Sequence, residues 1–208
     1  MSSLLRLAAF CLLAPFVTSL QDPVNVQFIG SANCGFTARF LRNQVSIVSK
    51  MLAPTRRVNI TFFPDSMCHD DDSNWLWCGD QLNALDACVL EEMKEESPED
   101  RFAMINCIQL KNGLGDALYK CIKPSPLQPV QSKLSLCARG YEGRRLLGKT
   151  NDIAHERYKR FYRSGFRYPL IFINGERSWA AETDLMGTLC NKYLYPRPEE
   201  CDTIKRRF

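Results

Sequence analysis

The sequence has no two cysteines at C-x-x-C spacing, only two histidines, and no long apolar run beyond its first twenty residues. With His69 and His155 as the only nitrogen ligands and no closely spaced thiols, the donors for a zinc site are missing. Nothing else in the chain calls for a metal or a cofactor. A membrane span needs roughly 20 consecutive apolar residues, so no transmembrane helix is expected. An excess of charge is missing too: 27 basic residues stand against 23 acidic ones, for a net charge of +4. That balance argues against nucleic acid as a partner. The 208 residues are 45% hydrophobic, 24% charged and 11% aromatic. Disorder, collagen and coiled coil are set aside on that composition, and one domain with a real core is expected.

What the chain has in plenty is cysteine, ten in all. In a chain of this size they point to an oxidising compartment. The N-terminus agrees. Arg6, an apolar run from Leu7 to Val17 and then Thr18-Ser19-Leu20 form the three regions of a secretory signal, with cleavage placed after Ser19. The expected organisation is a signal peptide over 1–19 and a single domain over 20–208. A lumenal or extracellular destination is expected. Removing the signal removes Cys11 and leaves nine cysteines, an odd number. Four disulfides and one odd thiol is the simplest sum.

Cys34 is the candidate for the odd one, since the other eight (Cys68, Cys78, Cys88, Cys107, Cys121, Cys137, Cys190 and Cys201) lie together further along. Val24, Val26 and Phe28 alternate with Asn25 and Gln27, which predicts a strand over Val24 to Ile29. Gly30 to Asn33 reads as a turn. Phe36, Phe40, Val45, Ile47, Val48 and Met51 then recur at helical spacing. Cys34 thus falls where a strand hands over to a helix N-terminus. Unpaired backbone N–H groups and the helix dipole stabilise a thiolate there, the reactive form of cysteine.

A second strand is expected over Arg57 to Pro64. It carries the chain's one N-x-[ST] sequon, Asn59-Ile60-Thr61, so Asn59 is a candidate glycan site. The acidic triplet Asp70-Asp71-Asp72 reads as a solvated loop. From Cys78 to Arg163 the pattern is helical. Leu82, Leu85, Val89 and Met93 make one face, Phe102, Ile105 and Ile108-Gln109 another, and Leu114, Leu118 and Ile122 a third, with Val130, Leu134 and Ala138 after a proline-rich break. Disulfides among Cys88, Cys107, Cys121 and Cys137 would staple these helices. Eight cysteines permit on the order of a hundred pairings, and sequence cannot choose among them. Tyr168-Pro169 leads an apolar strand to Ile173, Asn174-Gly175 turns a hairpin, and Thr183 caps or opens a last helix. Strand, cysteine, helix, strand, helical insertion (about 65–164), proline-led strand, hairpin and helix is the α/β order of a thioredoxin-like fold with a disulfide-rich helical insertion.

These residues carry a resemblance. The chain resembles the gamma-interferon-inducible lysosomal thiol reductase (GILT) family in Val24-Asn25-Val26 leading to Cys34-Gly35 and in Val58-Asn59-Ile60-Thr61. The likeness runs on through Asn83-x4-Cys88-Val89-Leu90-Glu91-Glu92, Ile105-Asn106-Cys107, Cys121 and Leu136-Cys137-Ala138. It ends with Tyr168-Pro169, Ile173-Asn174-Gly175, Cys190 and Cys201. It implies reduction of disulfides in protein substrates, with Pro169 ordering the substrate strand beside Cys34.

Two departures stand out. The family's active-site C-x-x-C reads Cys34-Gly35-Phe36-Thr37 here, with threonine in the resolving position. Of its C-Q-H-G-x-x-E-C-x-x-N element the Asn83 end survives, while Gln-His-Gly is absent and Cys68 and Cys78 stand at altered spacing. Without a second thiol, product release falls to a small external thiol reductant, far slower than an intramolecular step. The Thr37 hydroxyl is placed to bond the Cys34 thiolate across one helical turn. Three readings follow: a monothiol oxidoreductase with catalytic Cys34, Thr37 and Pro169; a catalytically impaired secreted glycoprotein that binds or traps partners; and a disulfide-linked dimer through Cys34.

Overall fold

A computed structural model describes residues 22–65, 80–158 and 167–206. The expected signal stretch 1–19, Cys68, Cys78 and the triplet Asp70-Asp71-Asp72 lie outside the described residues. The first strand, β1, spans Val24–Gly30 and pairs in parallel with β2, Val58–Pro64, in the register Val24↔Val58 to Gly30↔Pro64. Its other edge pairs antiparallel with β3, Leu170–Ile173, which turns through Asn174-Gly175 into the two-residue β4, Glu176–Arg177. Sheet order is β2-β1-β3-β4. Both turn residues have positive φ, 51° at Asn174 and 85° at Gly175, as the tight hairpin turn requires.

The β1–β2 crossover is helical: α1 (Gly35–Phe40), a five-residue π-helical turn (Leu41–Val45) and α2 (Ser46–Met51). The turn answers a step in the sequence. Phe40 and Val45 are five residues apart, one more than an α-helical face allows, and the wider turn absorbs the surplus residue. Phe40, Val45 and Val48 therefore stay on one buried face. Of the other expected members, Ile47 and Met51 are half-buried and Phe36 is 54% exposed.

Between β2 and β3 lie α3 (Asp80–Glu92), α4 (Pro98–Ile108), α5 (Leu114–Ala117), α6 (Gln131–Arg139) and α7 (Tyr141–Tyr158). Helix α3 packs against α4, α6 and α7 and is buried on every side from Leu82 to Val89. Cys88–Cys137 ties α3 to α6, and Cys107–Cys121 ties α4 to the turn that follows α5. A third bridge, Cys190–Cys201, fastens α9 (Leu185–Lys192) to the C-terminal 3-10 segment Glu199–Arg206. The last helix starts one residue later than expected. Thr183 ends a separate short helix, α8 (Ala180–Thr183), and Asp184 is the N-cap of α9, its carboxylate accepting from the Gly187 N–H at 2.8 Å.

The sheet has two buried faces. On the larger, Phe28 stacks on Phe62 at 4.7 Å and meets Phe40 edge-on at 5.4 Å. Val24, Val26, Ile60, Ile171 and Ile173 complete that face with the helices above it. On the smaller, Ile29, Leu170 and Phe172 gather with Tyr168 and with Ala154 of α7. Cys34 packs against this second cluster.

Candidate active site at the Cys34 turn

Strand β1 ends on Gly30, where a Cβ would lie 2.6 Å from Cγ2 of Thr37. Only glycine lets the strand end and the helix start come this close. The turn Ser31-Ala32-Asn33 is closed by the Cys34 N–H donating to the Ser31 carbonyl at 3.0 Å. Cys34 is the N-cap of α1, with extended backbone, and its carbonyl accepts from the Ala38 N–H at 3.0 Å. The sulfur therefore belongs to the residue that precedes the first free amides of the helix. Cys34 is half-buried and is the free cysteine among the described residues.

Thr37 is fully buried one turn later. Its hydroxyl oxygen accepts from the Ser31 N–H at 3.3 Å. The expected bond from Thr37 to Cys34 is not made among the described residues: the hydroxyl is turned inward, toward the backbone of the strand end. Thr37 thus braces the turn from within.

The insertion grips the same turn from outside. Oδ1 of Asn83 accepts from the Ala32 N–H at 2.8 Å, and Nδ2 of Asn83 donates to Oγ of Ser31 at 3.4 Å. The Leu110 N–H, just past α4, donates to the Ala32 carbonyl at 2.9 Å. Both backbone groups of Ala32 are held by the helical insertion. Beside these anchors Asp86 is wholly buried, with Nε2 of Gln109 donating to its Oδ2 at 3.0 Å. Burial pushes the Asp86 carboxyl well above its ordinary range, and the Gln109 bond opposes that only in part.

The loop before β3 approaches from the other side. The Tyr168–Pro169 peptide is cis and both residues are buried. Tyr168 OH donates to Oδ2 of Asp65 at 2.5 Å, while the Asp65 N–H donates to the Gly30 carbonyl at 2.9 Å. Asp65, at 1% exposure, therefore ties the end of β1 to the residue before Pro169. A groove of 410 Å³ opens next to this junction, with Phe36, Arg39, Phe40, Asn43 and Gln44 on one wall and Arg167, Tyr168, Pro169, Glu182 and Thr183 on the other.

Sequence reasoning placed Cys34, Thr37 and Pro169, and the structure brings all three to one junction through Tyr168 and Gly30. It missed Asp65 and Asp86, which read as ordinary acids. Asn83 stood out only through the resemblance, with no role attached. Asn59 is exposed on β2, with Nδ2 3.3 Å from Oδ1 of Asn25. The structural cysteines Cys88, Cys107, Cys121, Cys137, Cys190 and Cys201 are all paired. Among the described residues no helix is long and apolar enough to cross a membrane.

A cysteine at the N-cap after the first strand, facing a proline-led strand across a mixed sheet, defines a thioredoxin-like protein. DsbA of Chlamydia trachomatis shares the fold at a TM-score of 0.55, with 14% identity over 75% of this chain and 77% of that one. Residues 25–125 match the family model described as gamma interferon inducible lysosomal thiol reductase (GILT). A GILT-like protein of Caenorhabditis elegans is 29% identical over 191 residues, 86% of this chain and 84% of its own length. One of Caenorhabditis briggsae is 29% identical over 198 residues, with the same coverage. The chain is thus similar to the GILT family over residues 25–125 and to GILT-like proteins over most of its length.

Proposed function

We propose that the chain is a thiol–disulfide oxidoreductase acting on protein disulfides, and that it works through Cys34 alone. The observation that carries this is the free, half-buried Cys34 at a helix N-cap, with a buried threonine where a resolving thiol would stand. The Cys34 thiolate attacks one sulfur of a substrate disulfide. A new S–S bond forms to Cys34, the substrate S–S bond breaks, and its other sulfur leaves as a thiolate that takes a proton. One external thiolate then attacks the mixed disulfide and frees the second substrate sulfur. A second external thiol restores Cys34, so two thiols are oxidised to one disulfide for each substrate disulfide reduced.

Thr37 keeps the turn rigid through Ser31, and Pro169 offers the neighbouring backbone to the substrate strand. The three bridges support folding in an oxidising compartment, on the way to a secreted or lysosomal destination, and the exposed sequon at Asn59 supports a glycan there. The buried, thiol-free position 37 also favours a second reading, a glycoprotein that holds its partner as a lasting mixed disulfide. Bridging of two copies through Cys34 is the third.

One assay separates them. Reduction of a denatured, disulfide-bonded protein is followed with glutathione as external thiol, near pH 5 and pH 7, for the mature protein and for Cys34→Ser. A rate above the thiol background that vanishes in the variant supports the monothiol cycle. Background rates with a stable covalent adduct support the trap. A dimer on non-reducing electrophoresis that disappears in Cys34→Ser supports bridging.

A further inference from the structure

The groove beside the Cys34 turn carries an electrostatic signature. Its acid, Glu182, is already matched by the Arg177 guanidinium, which is itself buried against the Trp179 ring at 4.3 Å. Its two cations are not matched. Arg39 lies 6.0 Å over the ring of Phe36, and Arg167 sits exposed on the opposite wall. Neither has an acidic partner among the described residues. The groove starts two residues from the thiol, at Phe36, and is bounded at the far wall by Pro169 and Thr183. A polypeptide laid in it meets two guanidinium groups that have no acidic partner among the described residues.

We infer that this groove selects an extended segment of a partner protein whose cysteine is flanked by acidic residues, with Arg39 and Arg167 as its specificity determinants. The inference deepens the proposed role of Cys34 and rests on it for its biological sense, but not for its test. Arginine suits this task because its planar fork can take a carboxylate through two N–H donors. The Phe36 face, 54% exposed, gives the segment an apolar surface between the charges. Opposite charges at such rims act on encounter and on selection, and like charges reject the wrong segment.

Two peptides are compared, identical except that the residues beside the central cysteine are Asp in one and Lys in the other. Binding to Cys34→Ser is measured by fluorescence anisotropy at about 20 mM and about 200 mM salt, so that no covalent step contributes. The Asp peptide is expected to bind about tenfold tighter at the lower salt, with a smaller ratio at the higher. In Arg39→Glu/Arg167→Glu the preference reverses, and in Arg39→Gln/Arg167→Gln it falls close to one. Equal affinities, no binding of either peptide, or a preference untouched in a folded double variant overturns the inference. If the preference holds while wild type forms no mixed disulfide with the matching peptide disulfide, the groove reading stands and the thiol reading fails.

Discussion

At the scale of single residues, two buried polar side chains decide how the turn behaves. Thr37 occupies the place of a second thiol, and its hydroxyl oxygen accepts from the Ser31 N–H. Cysteine is smaller than threonine by one branch, so it fits the space beside Gly30. Where release by external thiol limits turnover, Thr37→Cys restores an intramolecular route and is expected to raise the rate by about tenfold or more. An unchanged rate in the reduction assay would show that release is not limiting. Asp86 has the opposite character, a carboxyl whose pKa burial raises well above its ordinary range. Its folded-state pKa lies above its unfolded one, so the folded state binds more protons between the two values. Stability therefore falls as pH rises from about 4 toward the raised value. Asp86→Asn keeps the shape and removes the titration. Thermal melts from pH 5 to pH 8 should decline more for wild type than for the variant, and parallel curves would refute this.

At the scale of elements, α3 works as the hub of the insertion, and its polar residues are exceptions that a hydrophobic pattern cannot interpret. The repeat of Leu82, Leu85, Val89 and Met93 correctly marks one face. Because the other faces are buried too, Asn83 and Asp86 are enclosed as well, and only the structure assigns them partners. Asn83→Ala leaves the Ala32 N–H buried without an acceptor, at a cost of about 1–3 kcal/mol in chemical denaturation. Amide exchange at Ala32 and Cys34 should speed up in the same variant, while exchange in β1 should not. The bridge between α3 and α6 closes a loop of 49 residues. Replacing both Cys88 and Cys137 by alanine is expected to lower stability by about 4 kcal/mol on the chain-entropy account. A loss below about 1 kcal/mol would show that helix packing alone holds the pair.

At the scale of the whole molecule, the order of elements was legible because each carries its own period or turn chemistry. Val24-Asn25-Val26-Gln27-Phe28 alternates, Asn174-Gly175 permits positive φ, and Pro169 leads its strand. Neighbour relations were harder to read. That β1 lies between β2 and β3, parallel to one and antiparallel to the other, depends on contacts between distant segments. The disulfide partners depend on the same long-range geometry. The π-helical turn left a trace in the five-residue step from Phe40 to Val45, which reads as a flaw in a helix until the wider turn is seen. Asp184 displaced Thr183 as a cap because a carboxylate is the better acceptor for free helix amides, and both residue types are plausible caps in sequence.

The grip of the insertion on Ala32 gives the molecule a redox ceiling. A monothiol cycle needs reductant to turn over. That reductant also acts, more slowly because Cys88 and Cys121 are buried, on the two bridges that keep α3 and α4 in place. Asn83 on α3 and Leu110 just past α4 hold the Cys34 turn. Turnover should therefore climb with thiol concentration, pass through a maximum, and decline as the staples open. The supply of thiol would set both the speed of this protein and its working lifetime.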